Sequence, residues 1–216
     1  MTPETAVRLR EVAADFALQV EALHDTGARR LVAIAGPPGA GKSAMAEALT
    51  AALVERGNAA ALLPMDGFHL DNRLLAPRGL LPRKGAPETF DFGGFATMLR
   101  RVRTEPSVIL PVFDRERDIA IAGAGEVTEE TRIVIVEGNY LCLDEAPWRD
   151  LAPLWDMSVF VDVPEDELER RLIRRWLRHG LDEEAARARA LGNDIPNARR
   201  VMAAILPVTH RLRQEI

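Results

Sequence analysis

Apolar residues follow two different spacings along this chain, and each spacing predicts a different kind of element. Short continuous apolar runs predict buried strands over residues 30–35, 59–65, 108–113, 132–138 and 157–163. Apolar residues three or four positions apart predict helices over residues 1–27, 44–56, 91–103, 164–179, 182–191 and 197–206. Strands that alternate with helices predict a parallel sheet with helices on both faces. The predicted fold is therefore α/β, with three α/β/α layers around a mostly parallel, five-stranded sheet.

The turn between the first strand and the next helix carries the most specific motif of the sequence. It fits G-x-x-x-x-G-K-[ST], the phosphate-binding loop (P-loop) of NTP-using enzymes. Gly36 and Gly41 allow a tight turn whose N–H groups point at one phosphate. Lys42 reaches the β- and γ-phosphates, and the Ser43 hydroxyl group binds Mg²⁺. The motif predicts a P-loop NTPase that binds ATP and Mg²⁺ through Gly36, Pro37, Pro38, Gly39, Ala40, Gly41, Lys42, Ser43 and Ala44.

Two carboxylates follow predicted strands, as the phosphate-binding loop does. Asp66 comes directly after the second strand, and Glu137 lies at the end of the strand over residues 132–138. Ligands of parallel sheets bind beyond the carboxyl ends of the strands, so we expect these groups to share one rim. Glu137 resembles a Walker B acid in position, and Asp66 is placed to accept a proton from an acceptor hydroxyl group. The predicted metal ligands are Ser43, Glu137 and Asp66; an ordinary strand-end acid and a simple Asp-Gly turn are the alternatives.

The helix predicted over residues 164–179 carries a stripe of arginines opposite its apolar side. These arginines are spaced i, i+3, i+4 and i+7, so they cover an arc of about 100°. Such a stripe is usually a solvated face. Opposite bound ATP it predicts a lid, over residues 164–192, that brings guanidinium groups onto the phosphates and excludes water. We predict nucleotide contacts for Arg171 and Arg178, and catalytic roles for Arg174 and Arg175 together with Lys42 and Asp66.

The long Pro-, Arg- and Gly-rich stretch within residues 66–92 predicts an acceptor-binding region, because long loops in compact domains are usually functional. Of 28 basic residues only Lys42 and Lys84 are lysines, which marks Lys84 as a candidate, although codon bias is an alternative explanation. His69 is predicted either to contact substrate or to cap its turn. The predicted substrate-binding residues are Asp66, Phe68, His69, Lys84, Phe90, Asp91, Arg115 and Tyr140.

The chemical class of the acceptor stays open at this point. A sugar or nucleoside would hydrogen-bond through its vicinal hydroxyl groups to Lys84, Asp91, Arg115 and Arg117. An anionic acceptor, such as a sugar phosphate or pantothenate, would instead need the basic residues of this group as counter-charges.

Length and charge limit the remaining choices. A chain of 216 residues suits one domain, and a formal net charge of −5 with a pI near 5.5 argues against a nucleic-acid partner. No apolar run is long enough for membrane insertion, and Cys142 is the only cysteine, which excludes a disulfide within the chain and predicts a buried small hydrophobe. We expect a cytoplasmic protein that can form a homodimer. The tail over residues 207–216 is predicted to be an edge strand at best.

With these motifs in order, the chain resembles the P-loop kinases that include uridine kinase, phosphoribulokinase and bacterial type I pantothenate kinase. The resemblance runs from about Leu31 to Arg200 and rests on Met65-Asp66-Gly67-Phe68, on residues 84–91 and on the arginine-rich lid segment. Short bacterial nucleoside/nucleotide kinase-family proteins named fructose transport system kinase share Asp-Gly-Phe-His-Leu-Asp-Asn and Asn-Asp-Ile-Pro-Asn-Ala. The resemblance implies ATP-dependent phosphorylation of a small hydroxyl compound, with Asp66 as the base and lid arginines over the phosphates.

A regulatory nucleotide switch or a transporter-linked ATPase is the alternative function. A guanine-reading Asn-Lys-x-Asp motif is impossible with lysines only at positions 42 and 84, and the Leu-Ser-Gly-Gly-Gln signature of ABC-type ATPases is absent from the sequence. Both observations favour the kinase.

Overall fold

The computed structural model describes residues 3–213. Residues 1–2 and 214–216, the outer ends of the predicted first helical region and of the tail, lie outside the described residues. The helices are α1 (Pro3–Glu21), α2 (Lys42–Glu55), α3 (Asn72–Leu75), α4 (Phe92–Thr104), α5 (Glu165–Arg178), α6 (Glu183–Arg189) and α7 (Ile195–Ala203). The strands are β1 (Arg30–Ala35), β2 (Ala60–Pro64), β3 (Val108–Asp114), β4 (Ile119–Val127), β5 (Ile133–Gly138), β6 (Met157–Asp162) and β7 (His210–Arg213).

A five-stranded sheet with the order β2-β5-β1-β6-β7 forms the middle layer, and every neighbouring pair in it is parallel. Successive residues of β1 point to opposite faces, as the two-residue period of a strand requires. Leu31 and Ala33 join a core with α4 on one face, whereas Val32 and Ile34 join a core with α1, α2, α5 and α7 on the other. The three-layer α/β/α prediction is confirmed.

The fifth strand of this sheet differs from the expected one. The run over residues 108–113 does form β3, but β3 pairs antiparallel with β4 in a separate two-stranded sheet. Alternate positions of β3 and β4 are exposed, as expected for a hairpin with one solvent-exposed face and not for a strand buried on both faces. The fifth strand is β7, which comes from the weakly predicted tail and pairs with β6.

The break expected near residues 192–196 is also absent. Residues 190–194 form a π-helical turn, so α6 continues into α7 without an intervening loop. Cys142 is buried, as expected, and burial raises the pKa of its thiol to about 12. Among residues 3–213, the helices are too short or too polar to cross a lipid bilayer.

Candidate active site

The phosphate-binding loop joins the end of β1 to the start of α2, as its motif requires. Gly39 and Gly41 have φ values of 83° and 89°, in the left-handed region that glycine tolerates. A Cβ atom on Gly36 would lie 2.6 Å from the Val161 carbonyl oxygen, and one on Gly39 would lie 3.1 Å from Leu172 Cγ. The loop is therefore packed directly against β6 and the helix α5.

Lys42 is the first residue of α2 and its side chain is buried. Its ammonium group donates a hydrogen bond of 2.9 Å to the carbonyl oxygen of Pro37 in the same loop. Desolvation lowers the pKa of Lys42 to about 8, and the charges of Glu137 and Asp66 only partly offset it. A cation held this far from water favours an anionic ligand.

Glu137 and Asp66 lie on the rim that the topology predicted. β5 lies between β1 and β2, and Glu137 is in register with Ile34 of β1 and Pro64 of β2. Glu137 is therefore flanked by the strand that enters the phosphate-binding loop and the strand that leads into Asp66. Burial raises the pKa of Glu137 and the charge of Asp66 adds to this, whereas Lys42, Arg115 and a hydrogen bond from the Ser43 hydroxyl group lower it.

Asp66 lies in a tight turn directly after β2, and a guanidinium group holds its carboxylate. Arg115 Nη2 lies 2.6 Å from Asp66 Oδ2. The next residue, Gly67, permits close approach of β3, because a Cβ atom there would lie 2.4 Å from the Pro111 carbonyl oxygen. One cleft opens beside these groups and is lined by Ser43, Glu47, Leu62, Pro64, Asp66, Val112, Phe113, Arg115 and Glu137.

An aromatic wall adjoins this cleft. The His69 imidazole ring stacks on Phe90 with 4.1 Å between ring centroids, and it lies 4.7 Å from the ring of Phe113. Desolvation lowers the pKa of His69 to about 4, so the ring is neutral at pH 7. Its Nε2 atom is 3.8 Å from Asp66 Oδ1, too far for a hydrogen bond. Its buried Nδ1 atom has no hydrogen-bond partner within residues 3–213.

Lys84 adjoins the same wall, but its donors are already used. Its Nζ atom lies 2.8 Å from Asn72 Oδ1, from the Asp118 carbonyl oxygen and from Asp118 Oδ2. An ammonium group has three N–H donors, so these contacts account for all of them. The lysine fastens the loop after α3 to the tip of the β3–β4 hairpin.

Three other residues predicted to bind the acceptor have structural contacts of their own. The Tyr140 ring is fully buried and its hydroxyl group donates to the Gly85 carbonyl oxygen. Asp91 caps α4 by accepting a 2.9 Å hydrogen bond from the Gly94 amide. Phe68 is buried, with its ring centroid 5.0 Å from that of Phe95.

The arginines of α5 divide into two groups. Arg174 and Arg178 are exposed, and Arg178 Nε donates to the Arg174 carbonyl oxygen at 3.4 Å. Arg171 Nε donates to the Glu167 carboxylate at 2.7 Å. Arg175 is half-buried; burial and the charge of Arg115 lower its pKa, while Asp194 and Asp66 oppose this. Arg175 is thus the arginine of this helix whose charge interacts with the rim.

The π-helical turn connects this helix to the acceptor-side loop, which the sequence reasoning did not anticipate. Asp194 Oδ2 accepts a 2.6 Å hydrogen bond from Trp176 Nε1 on α5. The preceding residue, Asn193, donates at 3.0 Å to the Lys84 carbonyl oxygen and accepts from Arg83 at 3.0 Å. The one sequence signal for this turn was the Asn-Asp-Ile-Pro-Asn-Ala segment, which was noted only as part of the family resemblance and had no assigned role. Phe113 belongs to the segment Pro111-Val112-Phe113-Asp114, which also matches the kinase family in order, but the sequence assigned no role to Phe113 or to Asp118.

Comparison with known proteins agrees with this geometry. The model of the phosphoribulokinase / uridine kinase family matches residues 31–203. A crystal structure of a "putative fructose transport system kinase" from Silicibacter sp. TM1040 is 54% identical, covers 92% of this chain and 98% of that one, and superposes with a TM-score of 0.89. The uncharacterized protein YggC of Escherichia coli (strain K12) is 39% identical over 176 residues, 81% of this chain and 73% of that one. The ATP-dependent kinase-like protein notR' of Aspergillus versicolor is 35% identical over 155 residues, 67% of this chain and 90% of that one.

Proposed function

The chain belongs to the phosphoribulokinase / uridine kinase family and is an ATP-dependent kinase, and we propose that it phosphorylates a hydroxyl group of a small metabolite held against Asp66. One observation carries this proposal. The phosphate-binding loop, the Glu137 carboxylate and the Asp66 carboxylate follow neighbouring strands and meet at one cleft. Phosphoryl transfer needs a phosphate cradle, charge neutralisation and a positioned nucleophile. The loop would bind the phosphates, Glu137 would hold the Mg²⁺ ion that neutralises their charge, and Asp66 would position the acceptor hydroxyl group.

Asp66 is the proposed general base. Its side chain borders the cleft, and the 2.6 Å contact with Arg115 fixes one carboxylate oxygen. The other carboxylate oxygen is left to accept the proton of an acceptor hydroxyl group, while the hydroxyl oxygen bonds to the γ-phosphorus atom and the bond from that phosphorus to the β–γ bridging oxygen breaks, so that ADP leaves. Lys42 leaves the carbonyl oxygen of Pro37 to bind the phosphates, whose negative charge holds its ammonium group protonated.

The donors on the rim fit a magnesium ion. The Ser43 hydroxyl group, Glu137 and Asp66 are hard oxygen donors, which Mg²⁺ prefers. Within residues 3–213 no group of three or more His, Cys, Asp or Glu side chains is arranged around a metal position, so the nucleotide and water would complete the coordination. When bound, the ion neutralises phosphate charge. Glu137 and Ser43 would orient it beside the phosphate-binding loop.

Arg175 is the proposed lid arginine that acts on the phosphates. It is the half-buried arginine of α5 whose charge interacts with Asp66 and Arg115, and α5 packs against the loop through Leu172. Arg175→Ala is therefore expected to lower turnover more than Arg174→Ala, its matched exposed neighbour. Equal losses in the two variants would refute the choice of Arg175, and unchanged turnover in both would leave the arginine stripe as a solvated face.

An ADP-release assay with ATP, Mg²⁺ and a panel of sugars, nucleosides and pantothenate tests the kinase proposal. Asp66→Asn should abolish acceptor-dependent ADP release while ATP affinity stays within about twofold, because the base does not contact the nucleotide cradle. Asp15→Asn, an exposed Asp-to-Asn change on α1, is the matched control. Equal loss of ATP binding and turnover in Asp66→Asn would refute the assignment of the base.

The regulatory ATPase is separated from the kinase by the same assay. A switch would hydrolyse ATP at a rate that no acceptor changes, whereas a kinase releases ADP in proportion to a phosphorylated product. A cytoplasmic location, where ATP is available, belongs to the same proposal, and a homodimer stays a prediction that a mass measurement in solution would check.

A further inference from the structure

We propose that the acceptor is an uncharged polyhydroxy compound, and that anionic acceptors such as sugar phosphates and carboxylates are excluded. This inference rests on the kinase function proposed above. It follows from the state of the basic side chains on the acceptor side of the cleft, because Lys84, Arg115 and Arg117 each contact a carboxylate of the chain itself.

Lys84 is the most buried of these cations. An anionic acceptor would need at least one of its N–H donors, but Asn72 Oδ1, the Asp118 carbonyl oxygen and Asp118 Oδ2 each lie 2.8 Å from Nζ. The charge of Asp118 cancels that of the lysine at contact distance. To bind an anion, Lys84 would have to break at least one of its three hydrogen bonds, which go to the Asn72 side chain, the Asp118 carbonyl oxygen and the Asp118 carboxylate.

Arg115 and Arg117 are paired in the same way. Arg115 Nη2 lies 2.6 Å from Asp66 Oδ2. Arg117 Nε lies 2.7 Å from Asp114 Oδ2, and the Arg117 amide donates to the other oxygen of the same carboxylate at 2.9 Å. The Asp66 carboxylate at contact distance offsets the charge of Arg115, which weakens the attraction of this guanidinium group for a second anion.

The remaining polar groups of the acceptor side are acceptors or neutral. The His69 ring packs between Phe90 and Phe113, and its Nδ1 atom has no hydrogen-bond partner within residues 3–213. Of the three packed rings of His69, Phe90 and Phe113, that of Phe113 lines the cleft and offers an apolar surface to the C–H groups of a polyol. Carboxylates accept hydrogen bonds and hydroxyl groups donate them, so several hydroxyl groups satisfy this side of the cleft.

The charge balance of the cleft acts in the same direction. Glu47, Asp66 and Glu137 line it, and among its lining residues only Arg115 is a cation. The phosphates of bound nucleotide add negative charge, which the Mg²⁺ ion, Lys42 and Arg175 proposed to contact them offset in part. A phosphate or carboxylate on the acceptor would lie near Glu47 and Asp66, whereas the acceptor-side cations among residues 3–213 already contact carboxylates, and like charges at such distances repel by kilocalories per mole.

Matched pairs of acceptors test the inference directly. In each pair an ionised group replaces one primary hydroxyl group: fructose and fructose 6-phosphate, ribose and ribose 5-phosphate, uridine and its 5′-monophosphate, pantothenol and pantothenate. Binding of both members, measured by the Tm shift described below, separates the effect of charge from loss of the reacting hydroxyl group. We expect kcat/KM to be on the order of tenfold or more higher for the neutral member of any pair that reacts. The monosaccharide pairs and the uridine pair distinguish a sugar acceptor from a nucleoside acceptor.

A variant that exposes a cation tests the cause. Asp118→Asn leaves the charge of Lys84 uncompensated, and asparagine tolerates the φ of 56° at this position. The ratio of kcat/KM for the anionic member to that for the neutral member should rise about tenfold, and the rise should shrink at high salt. Asp15→Asn should leave the ratio unchanged. Asp114→Asn, which releases Arg117, repeats the test if Asp118→Asn does not fold.

The outcomes separate this inference from the kinase proposal. ADP release with anionic members at equal or higher kcat/KM would overturn the charge argument and leave the kinase intact. ATP hydrolysis that no acceptor changes would overturn the kinase. Binding then decides the inference alone: the shift in Tm that each compound gives to the Asp66→Asn protein with a non-hydrolysable ATP analogue ranks the same pairs. A larger shift for the anionic members, or no shift for any compound, would refute it.

Discussion

The buried lysine of the phosphate-binding loop should destabilise the nucleotide-free protein. Lys42 is 7% exposed, and its pKa is about 8 instead of the usual 10.5 because burial disfavours its charge. The folded chain therefore holds the proton less tightly than the unfolded chain does. At pH 7, where both forms are protonated, this difference costs ~3 kcal/mol of the free energy of unfolding.

Lys42→Met removes the charge and keeps an unbranched apolar stem of similar length. The variant also loses the hydrogen bond to the Pro37 carbonyl oxygen, whose removal costs about 1 kcal/mol. The expected balance is a nucleotide-free protein more stable than the wild type by about 2 kcal/mol at pH 7. ATP binding should fall sharply in the same variant, since the cation that meets the phosphates is gone.

Urea denaturation at a series of pH values measures this effect. Between pH 8 and 10.5 the folded wild type loses the Lys42 proton while the unfolded chain keeps it, so the stability of the wild type rises with pH. The variant lacks this group, so its advantage should be constant below pH 8, fall as pH rises and reverse before pH 10.5, where only the lost hydrogen bond, about 1 kcal/mol, remains. A variant that is less stable than the wild type at pH 7, or an advantage that does not depend on pH, would refute the reasoning.

Three further substitutions test the packing around the site. Gly67→Ala forces a Cβ atom to within 2.4 Å of the Pro111 carbonyl oxygen, so steady-state turnover should fall on the order of 100-fold while ATP affinity, measured by titration, changes little. Asn193→Ala removes the hydrogen bond to the Lys84 carbonyl oxygen and should raise KM for the acceptor several-fold without changing KM for ATP; a parallel rise in both would contradict a positioning role. Arg29→Met should lower the free energy of unfolding by about 3 kcal/mol or more, because the buried guanidinium group donates to the carbonyl oxygens of Val102, Glu105, Pro106, Thr128 and Thr131. A loss below about 1 kcal/mol in urea denaturation would contradict this estimate.

The rim of the sheet was predictable because it depends on local patterns and one topological rule. A continuous apolar run with a carboxylate at its end specifies both a buried strand and the edge where that carboxylate lies. The register of the sheet then determines the neighbours of Glu137, which is opposite Ile34 and Pro64 because β5 lies between β1 and β2. None of these steps needs knowledge of a distant side chain.

The pairing of basic residues was not predictable for the opposite reason. Lys84 and Asp118 are 34 positions apart, and they meet only because the β3–β4 hairpin folds back over the loop after α3. The strand over residues 108–113 was predicted in the wrong sheet, since an apolar run has the same composition in a buried strand and in a half-exposed one. The sequence shows that a cation is present but not whether it already has a partner, and only the second fact restricts the acceptor.

The π-helical turn is a second feature that the sequence did not predict, and the pair Asn193 and Asp194 shows why. One extra residue in a helical turn rotates its neighbours, and here Asn193 meets the Lys84 carbonyl oxygen while Asp194 meets Trp176 on α5. The acceptor-side loop and the arginine-bearing helix α5 thus contact the same turn. We therefore expect a shift of α5 toward bound ATP to change the position of Lys84. Substituting either residue should therefore affect the acceptor and nucleotide sides differently, whereas a merely stabilising turn would weaken both together.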